Sequence, residues 1–496
     1  MLRPQERIDF PALKRGLWML NAEVIFAAVS DSVMVGTLLT AFALHLGARP
    51  AQVGVLATIG FWAQLLQAPG VLLVDRVRKR KLIAVAALVV SAAAPAAMAA
   101  MAFASASQST RLAVVGVVAI YCGAGAFGGC AWNAWTRDLI PRGVRGRFLA
   151  YRARLAIAAN VIMGLLAAVA LDFADDPRSR PLLFAALFAL ACAARLLNAA
   201  TLARVPEPRM PPAPATPEPL VRMLQRPLGD PKFRPLIRFS ASWQFAVNLA
   251  QPFFTVFFLQ QLGLSVTLVM VLTMVSQLAN GWALKRWGPL VDRFGDKSVL
   301  NVSAPVYIAC IAGMIGASQI GPTWLTVAYL VAIHVIMGVA GAGVSLSSGN
   351  IALKLSPKGA AAPYLSVHSL ISSVFGGVAP VLGGLGAEFF ARRHVGVVVQ
   401  WSGPLVRGHI VGLHLTGWHF YFVLSALFGL YALHRLAMVR EDGALGSREM
   451  REAILARARA RLARQPPAAG AALPEELSQN LLADEPAEPG VVVNRG

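Results

Sequence analysis

Charge is what this chain has least of. Only 14% of its 496 residues are Asp, Glu, Lys or Arg, against about 25% in a soluble globular domain, so most of it is built for a solvent other than water. Cysteine is scarce as well. Cys122, Cys130, Cys192 and Cys310 all fall in apolar stretches and lack metal-ligand spacing, which excludes a disulfide scaffold or a thiolate metal centre and leaves small core residues. No cofactor or metal is called for, and no Gly-x-x-x-x-Gly-Lys loop is present to cradle phosphates. β-type alternation is nowhere sustained, which excludes a barrel. The first ten residues are polar and the first apolar run is too long for a leader, so no cleavable signal is expected.

What the chain does have is long apolar runs. It is 57% hydrophobic with a mean hydropathy of +0.61, and a helix needs about 20 apolar residues to cross a bilayer. Twelve such segments are expected, near 18–46, 52–74, 82–104, 112–134, 150–171, 181–203, 235–262, 265–286, 298–318, 323–350, 363–390 and 413–437. The expected class is therefore an all-α membrane protein with twelve transmembrane helices. The net charge of +21 does not point to nucleic acid. With both termini cytoplasmic, 37 of the 45 Lys and Arg fall on the inner tails and loops and seven on the outer loops, with Arg195 inside segment 6. Such a bias orients membrane helices, and attraction to anionic lipid is its by-product. The expected location is the plasma (inner) membrane, multi-pass.

The halves repeat. Val74-Asp75-Arg76 returns as Val291-Asp292-Arg293, 217 residues later, and the same offset carries Asp31 to Asn248, Asn133 to Asn350 and Arg137 to Lys354. A fixed offset of nearly half the chain marks two parallel repeats. The expected organisation is a tail (1–17), a six-helix bundle (18–204), a Pro-rich linker (205–234), a second bundle (235–437) and a C-terminal tail (438–496). Pro206, Pro208, Pro211, Pro212, Pro214, Pro217 and Pro219 make the linker a semi-rigid spacer, and 220–228 can form a short surface helix. The stretch 391–412 reads as an outer loop, with Val395–Trp401 too short to span. Ser447–Arg464 reads as a basic helix on the inner leaflet, and beyond Pro466 the composition is that of disorder.

These motifs resemble the major facilitator superfamily, whose second-to-third-helix loop carries Gly-x-x-x-Asp-Arg-x-Gly-Arg-Lys. The second copy is in register at Gly288, Asp292, Arg293 and Gly295; in the first, Gly70 is one residue early and Arg78 stands where glycine is usual. The resemblance covers about 15–437 and implies two pseudo-symmetric six-helix bundles. It also implies a cytoplasmic gate at Asp75, Arg76, Arg137, Asp292, Arg293 and Lys354, with Arg137 and Lys354 placed to pair with the two aspartates. Arg78 to Lys81 read as topology residues. Segment 5 lacks the Gly-Pro-x-x-Gly-Gly motif of drug/proton antiporters. Trp132 to Pro141, followed by Arg145-Gly-Arg147, is similar to a bacterial permease subgroup of undefined substrate.

Ionisable groups deep in a membrane helix are functional candidates. Asp31 lies near the middle of segment 1, and segments 1, 4, 7 and 10 line the cavity in the resembled family. Gln244, Asn248, Gln251 and Thr255 share one face of segment 7, near Pro252. Tyr121, Trp132 and Asn133 on segment 4, Trp243 on segment 7 and His334 on segment 10 complete the candidates for substrate or proton binding. Glu23, Arg195 and Glu388 read as snorkelling or pairing residues. The expectation is a monomeric secondary transporter, proton-coupled, for a small neutral, zwitterionic or cationic organic solute. The alternatives are a transporter-like sensor or assembly subunit that moves nothing, and a polytopic enzyme, which short loops disfavour.

Overall fold

A computed structural model describes residues 5–441, apart from 7, 175, 177, 211–219, 321–322, 358–360, 392, 394, 403–406 and 416. The expected basic helix at 447–464 lies outside the described residues. Among the described residues twelve long helical segments form: α1 Phe10–His45, α2 Pro50–Val77, α3 Arg80–Met101, α4 Gln108–Leu139, α5 Arg142–Asp172, α6 Ser179–Ala203, α7 Arg234–Val256, α8 Val266–Phe294, α9 Asp296–Ser318, α10 Thr323–Lys354, α11 Ala361–Phe390 and α12 Gly417–Ala437. Eleven are long and apolar enough to span a bilayer. The twelfth, α7, carries Arg234, Arg238, Gln244, Asn248 and Gln251, which dilute its hydropathy. Ser107 and Ser265 cap α4 and α8, each accepting a backbone N–H three residues on.

In the first half α3 packs on α4 and α6, and α1 on α5 and α6. In the second, α10 packs on α8 and α9, and α7 on α11 and α12. The halves meet where α2 lies along α11 and α5 touches α8. Both α2–α11 surfaces are glycine-notched there. A methyl on Gly54 would collide with the Pro380 carbonyl, and one on Gly384 with Pro50 and Ala51. Gln5, residues 205–210 of the linker, the motif loops and Glu441 share one face of the molecule, hereafter the tail face; the opposite is the far face.

Three local features depart from the sequence reading. First, α1 is interrupted at Val35 and Gly36, five residues past Asp31. Gly36 has φ +79 and ψ −137, a region essentially closed to other residues. A Cβ there would touch nothing within 4 Å, so conformation alone sets the cost. Gly36→Ala is expected to lose about 1–3 kcal/mol, seen as a fall in Tm. Gly60→Ala, in equally open space but at ordinary helical dihedrals, is the control that should not.

Second, the turn after α2 forms without its glycine. Arg78 takes the left-handed conformation, φ 57, at the place where Gly295 has φ 87 in the second copy. The Arg78 guanidinium donates to the Met210 carbonyl at 3.3 Å. Third, the stretch read as an outer loop is an antiparallel hairpin, β1 Val395–Ser402 with β2 Arg407–Leu415, with a bulge between Val397 and Val399. A valine run gives β propensity without the alternation that would have flagged it. The linker helix forms as Leu220–Gly229.

Candidate functional site

A cavity of about 690 Å³ is walled mainly by the first half, with Met270, Thr273 and Gln277 of α8 completing it. Two charged layers stand in its wall, each built from an acid on α1, an arginine and an aromatic ring of α4. In the layer nearer the far face, Tyr121 donates its hydroxyl proton to Asp31 Oδ1 at 2.5 Å. Arg195 Nη1 stands 3.5 Å from that oxygen, and its guanidinium lies 4.5 Å from the Tyr121 ring centre. Arg195 Nε donates to Ser91 Oγ at 2.8 Å. Asp31 is half exposed, 48% by side chain, while Arg195 is buried. In the second layer Arg152 pairs with Glu23 at 2.8 Å and lies 4.9 Å over Trp132; it also donates to the Leu20 carbonyl. Glu23 and Asp31 are eight residues apart, about 12 Å of helix.

Glu23 and Arg195 are therefore not snorkelling: both are buried and paired. Arg152 drew no notice in the sequence, hidden among the basic residues that follow Pro141.

The second half has its own cavity, about 660 Å³, with an uncharged wall that includes Trp243, Gln244, Gln251, Asn280, Tyr307 and Ser345. Gln277 of α8 lines both cavities. His368 also faces the second cavity and shares a hydrogen bond with Ser240 Oγ at 2.8 Å. The candidates thus divide. Asp31, Tyr121 and Trp132 face the first cavity, and Trp243, Gln244 and Gln251 the second. Asn248 faces neither: its amide donates to the Gln244 carbonyl and side chain at 2.8 and 3.1 Å, against Gly376 of α11. His334 is buried with Nδ1 2.8 Å from the Leu330 carbonyl and its ring beside Phe258. Asn133 is exposed and does not line the cavities.

At the tail face the ion pairs differ from those expected. Arg80 is 1% exposed, so it is no mere topology residue. It binds Asp138 at 2.5 Å and approaches Glu207 to 3.8 Å, and its backbone N–H donates to Glu207 at 2.7 Å. Burial pushes the Glu207 carboxyl above its usual range, against the pull of the Arg80 and Lys81 N–H groups and charges. The second half repeats the arrangement with the helix signs exchanged. Lys354 binds Asp296 at 2.6 Å and Glu441 at 3.0 Å, and Glu441 accepts the Asp296 and Lys297 N–H groups at 3.3 and 2.7 Å. Lys354 therefore pairs with Asp296 and Glu441 rather than with Asp292. Asp75 and Asp292 are exposed and form no ion pair among the described residues.

At the far face the halves are hydrogen-bonded to each other. Asp172, the last residue of α5, accepts the Val266 and Thr267 N–H groups at the start of α8, at 2.9 and 2.7 Å. Glu388, near the end of α11, accepts the Ala51 N–H at the start of α2, at 3.2 Å. Deeper along the same seam Thr58 Oγ1 donates to the Gly377 carbonyl at 2.6 Å.

The family model described as Major Facilitator Superfamily matches residues 24–380. Among solved structures, a mutant of the nucleoside transporter NupG is similar at 14% identity and TM-score 0.67, over 86% of this chain and 100% of that one. A bacterial homolog to the human lysosomal transporter Spinster, in inward-facing and unoccupied conformation, is similar at 14% and 0.58, over 88% and 100%. A D-xylose-proton symporter is similar at 15% and 0.58, over 88% and 98%. At such identities these likenesses speak to the fold. No curated protein matches the chain.

Proposed function

The chain belongs to the major facilitator superfamily, and from that membership we propose that it is a proton-coupled secondary transporter moving a small organic solute across the plasma membrane by alternating access. The observation that carries the proposal is the pair of cavities, each walled mainly by one bundle and both lined by Gln277 of α8, with the halves hydrogen-bonded to each other at the far face through Asp172 and Glu388. A path walled by both halves, with contacts between them at one end, suits alternating access. One chain supplies the whole path, so a monomer suffices. Radiolabelled solutes offered to the reconstituted protein in liposomes test this: saturable flux supports it, and flux no greater than empty liposomes for every solute class favours a sensor or assembly subunit.

Asp31, Tyr121, Trp132, Trp243, Gln244 and Gln251 are the proposed contacts to solute or proton, and Asp31 is the proposed proton site. The gate reading of Asp75, Arg76, Arg137, Asp292 and Arg293 belongs to the opposite conformation, in which the tail-face ends of the bundles come together. Lys354 would have to exchange its present partners to join it. The exposure of both aspartates accords with a gate that stands open here.

The tail face is proposed to be cytoplasmic, because it carries nearly all Lys and Arg. Single cysteines at Ser179 and Ala215, in a background lacking the native four, should report this to an impermeant thiol reagent outside intact cells. Position 179 is expected to label and 215 to stay silent; the reverse pattern inverts the topology.

A further inference from the structure

The first cavity is lined by side chains whose buried polar atoms have no hydrogen-bond partner among the described residues. Asn198 lies one turn beyond Arg195 on α6, is 1% exposed and lines the cavity. Both its side-chain nitrogen and its side-chain oxygen lack a hydrogen-bond partner, as does the buried Trp132 indole Nε1 of the same wall. Buried polar groups are nearly always paired, because leaving one bare costs the full desolvation of that group. Here a donor and acceptor on one residue and a second donor on another belong to side chains that line one cavity.

Helix α6 contributes Arg195, Asn198 and Leu202 to that wall. Gly125 of α4 makes room for the first of them: a Cβ there would come within 3.4 Å of Arg195 Nη2. The charges of the wall are already matched within it, Asp31 with Arg195 and Glu23 with Arg152. A charged solute group would arrive without a free counter-ion and with its own desolvation to offset.

We propose that Asn198 and the Trp132 indole N–H form a recognition subsite for an uncharged hydroxyl or carboxamide group, and that the solute is accordingly a polar molecule without charged groups. The proposal rests on the transport reading and narrows its substrate class. The charge-free, amide-rich wall of the second cavity, with Gln244, Gln251, Gln277 and Asn280, accepts the same chemistry, since each carboxamide donates and accepts.

The test is binding to the purified full-length protein, read by thermal shift. The probes are ribitol, an aldopentose, nicotinamide, alanine, lactate, choline and a sugar phosphate. Uncharged hydroxyl- or amide-bearing probes are expected to stabilise the protein. Asn198→Leu, which keeps the volume, should weaken that binding about tenfold, the scale on which removing one partner of a buried hydrogen bond acts. Trp132→Phe keeps a ring for Arg152 and removes only the N–H, and should weaken it several-fold. The unliganded Tm of each variant shows that it folds. Stabilisation by charged or zwitterionic probes alone, by none of the probes, or undiminished in both variants overturns the subsite. Flux in liposomes is scored separately, so a charged solute that is transported would sink the subsite and leave the transporter standing.

Discussion

Protein carrying Asp31→Asn is expected to exchange solute across a liposome membrane at equal pH and to lose all accumulation driven by a pH gradient. A one-unit gradient is worth about 1.4 kcal/mol per proton, so the parent should concentrate a neutral solute about tenfold through one coupled proton and the variant not at all. The geometry explains why exchange survives. Asn keeps an oxygen for the Tyr121 hydroxyl, now held at 2.5 Å. Arg195 keeps Ser91 and the Tyr121 ring. Asp31 is half open to the cavity, so losing its pairing with Arg195 costs a screened interaction, about 0–1 kcal/mol. What the substitution removes is the carboxylate that faces Arg195 in the cavity wall, the group to which the proposed coupling is assigned. The second half offers no substitute, since Asn248 cannot titrate and is turned toward Gln244 and α11. Undiminished gradient-driven accumulation in the variant returns Asp31 to a structural role.

The contrast between Asp31 and Arg195 shows what the sequence can disclose. A carboxylate in the middle of an apolar run has no surface to reach, so Asp31 stands out from position alone, and the structure puts it on the cavity wall. Arg195 is nearer a helix end, where a long side chain can reach either lipid headgroups or the interior. Room for the interior choice is left by Gly125 on a different helix. Arg152 has the same ambiguity, deepened by Arg142, Arg145, Arg147 and Arg154, which give the region the look of an orientation signal. Asn248 fails in the other direction. Its spacing puts it on the polar stripe of α7, but a stripe has width, and Gly376 receives the edge on which Asn248 lies. The twelve spans and the paired motif need no such information, because length and local turn chemistry decide them. Even there Arg78 shows that the fold can impose a glycine conformation on another residue.

The largest structural effect is expected at the far face, from Asp172→Asn combined with Glu388→Gln. The two carboxylates are related by the repeat: Glu388 follows Asp172 by 216 residues, and Thr267 follows Ala51 by the same 216. Each half thus ends its fifth helix in an acid that caps the second helix of the other half, and the pair closes the seam symmetrically. A carboxylate on a helix N-terminus contributes about 0.3–1 kcal/mol, and up to ~2 when partly buried, and both acids are half-buried. Two such contacts made in one conformation only bias the equilibrium by about 1–4 kcal/mol, roughly a five-fold to several-hundred-fold shift in population. Neither substitution removes an apolar contact, so Tm should move little beside the conformational change. Spin labels at Ala106 and Gln319, on far-face loops of opposite halves, should report a longer distance population in the double variant and intermediate fractions in the single ones. Distance distributions identical to the parent in all three would mean that the glycine-notched packing of α2 on α11 closes the far face unaided, with the acids as passengers on that seam.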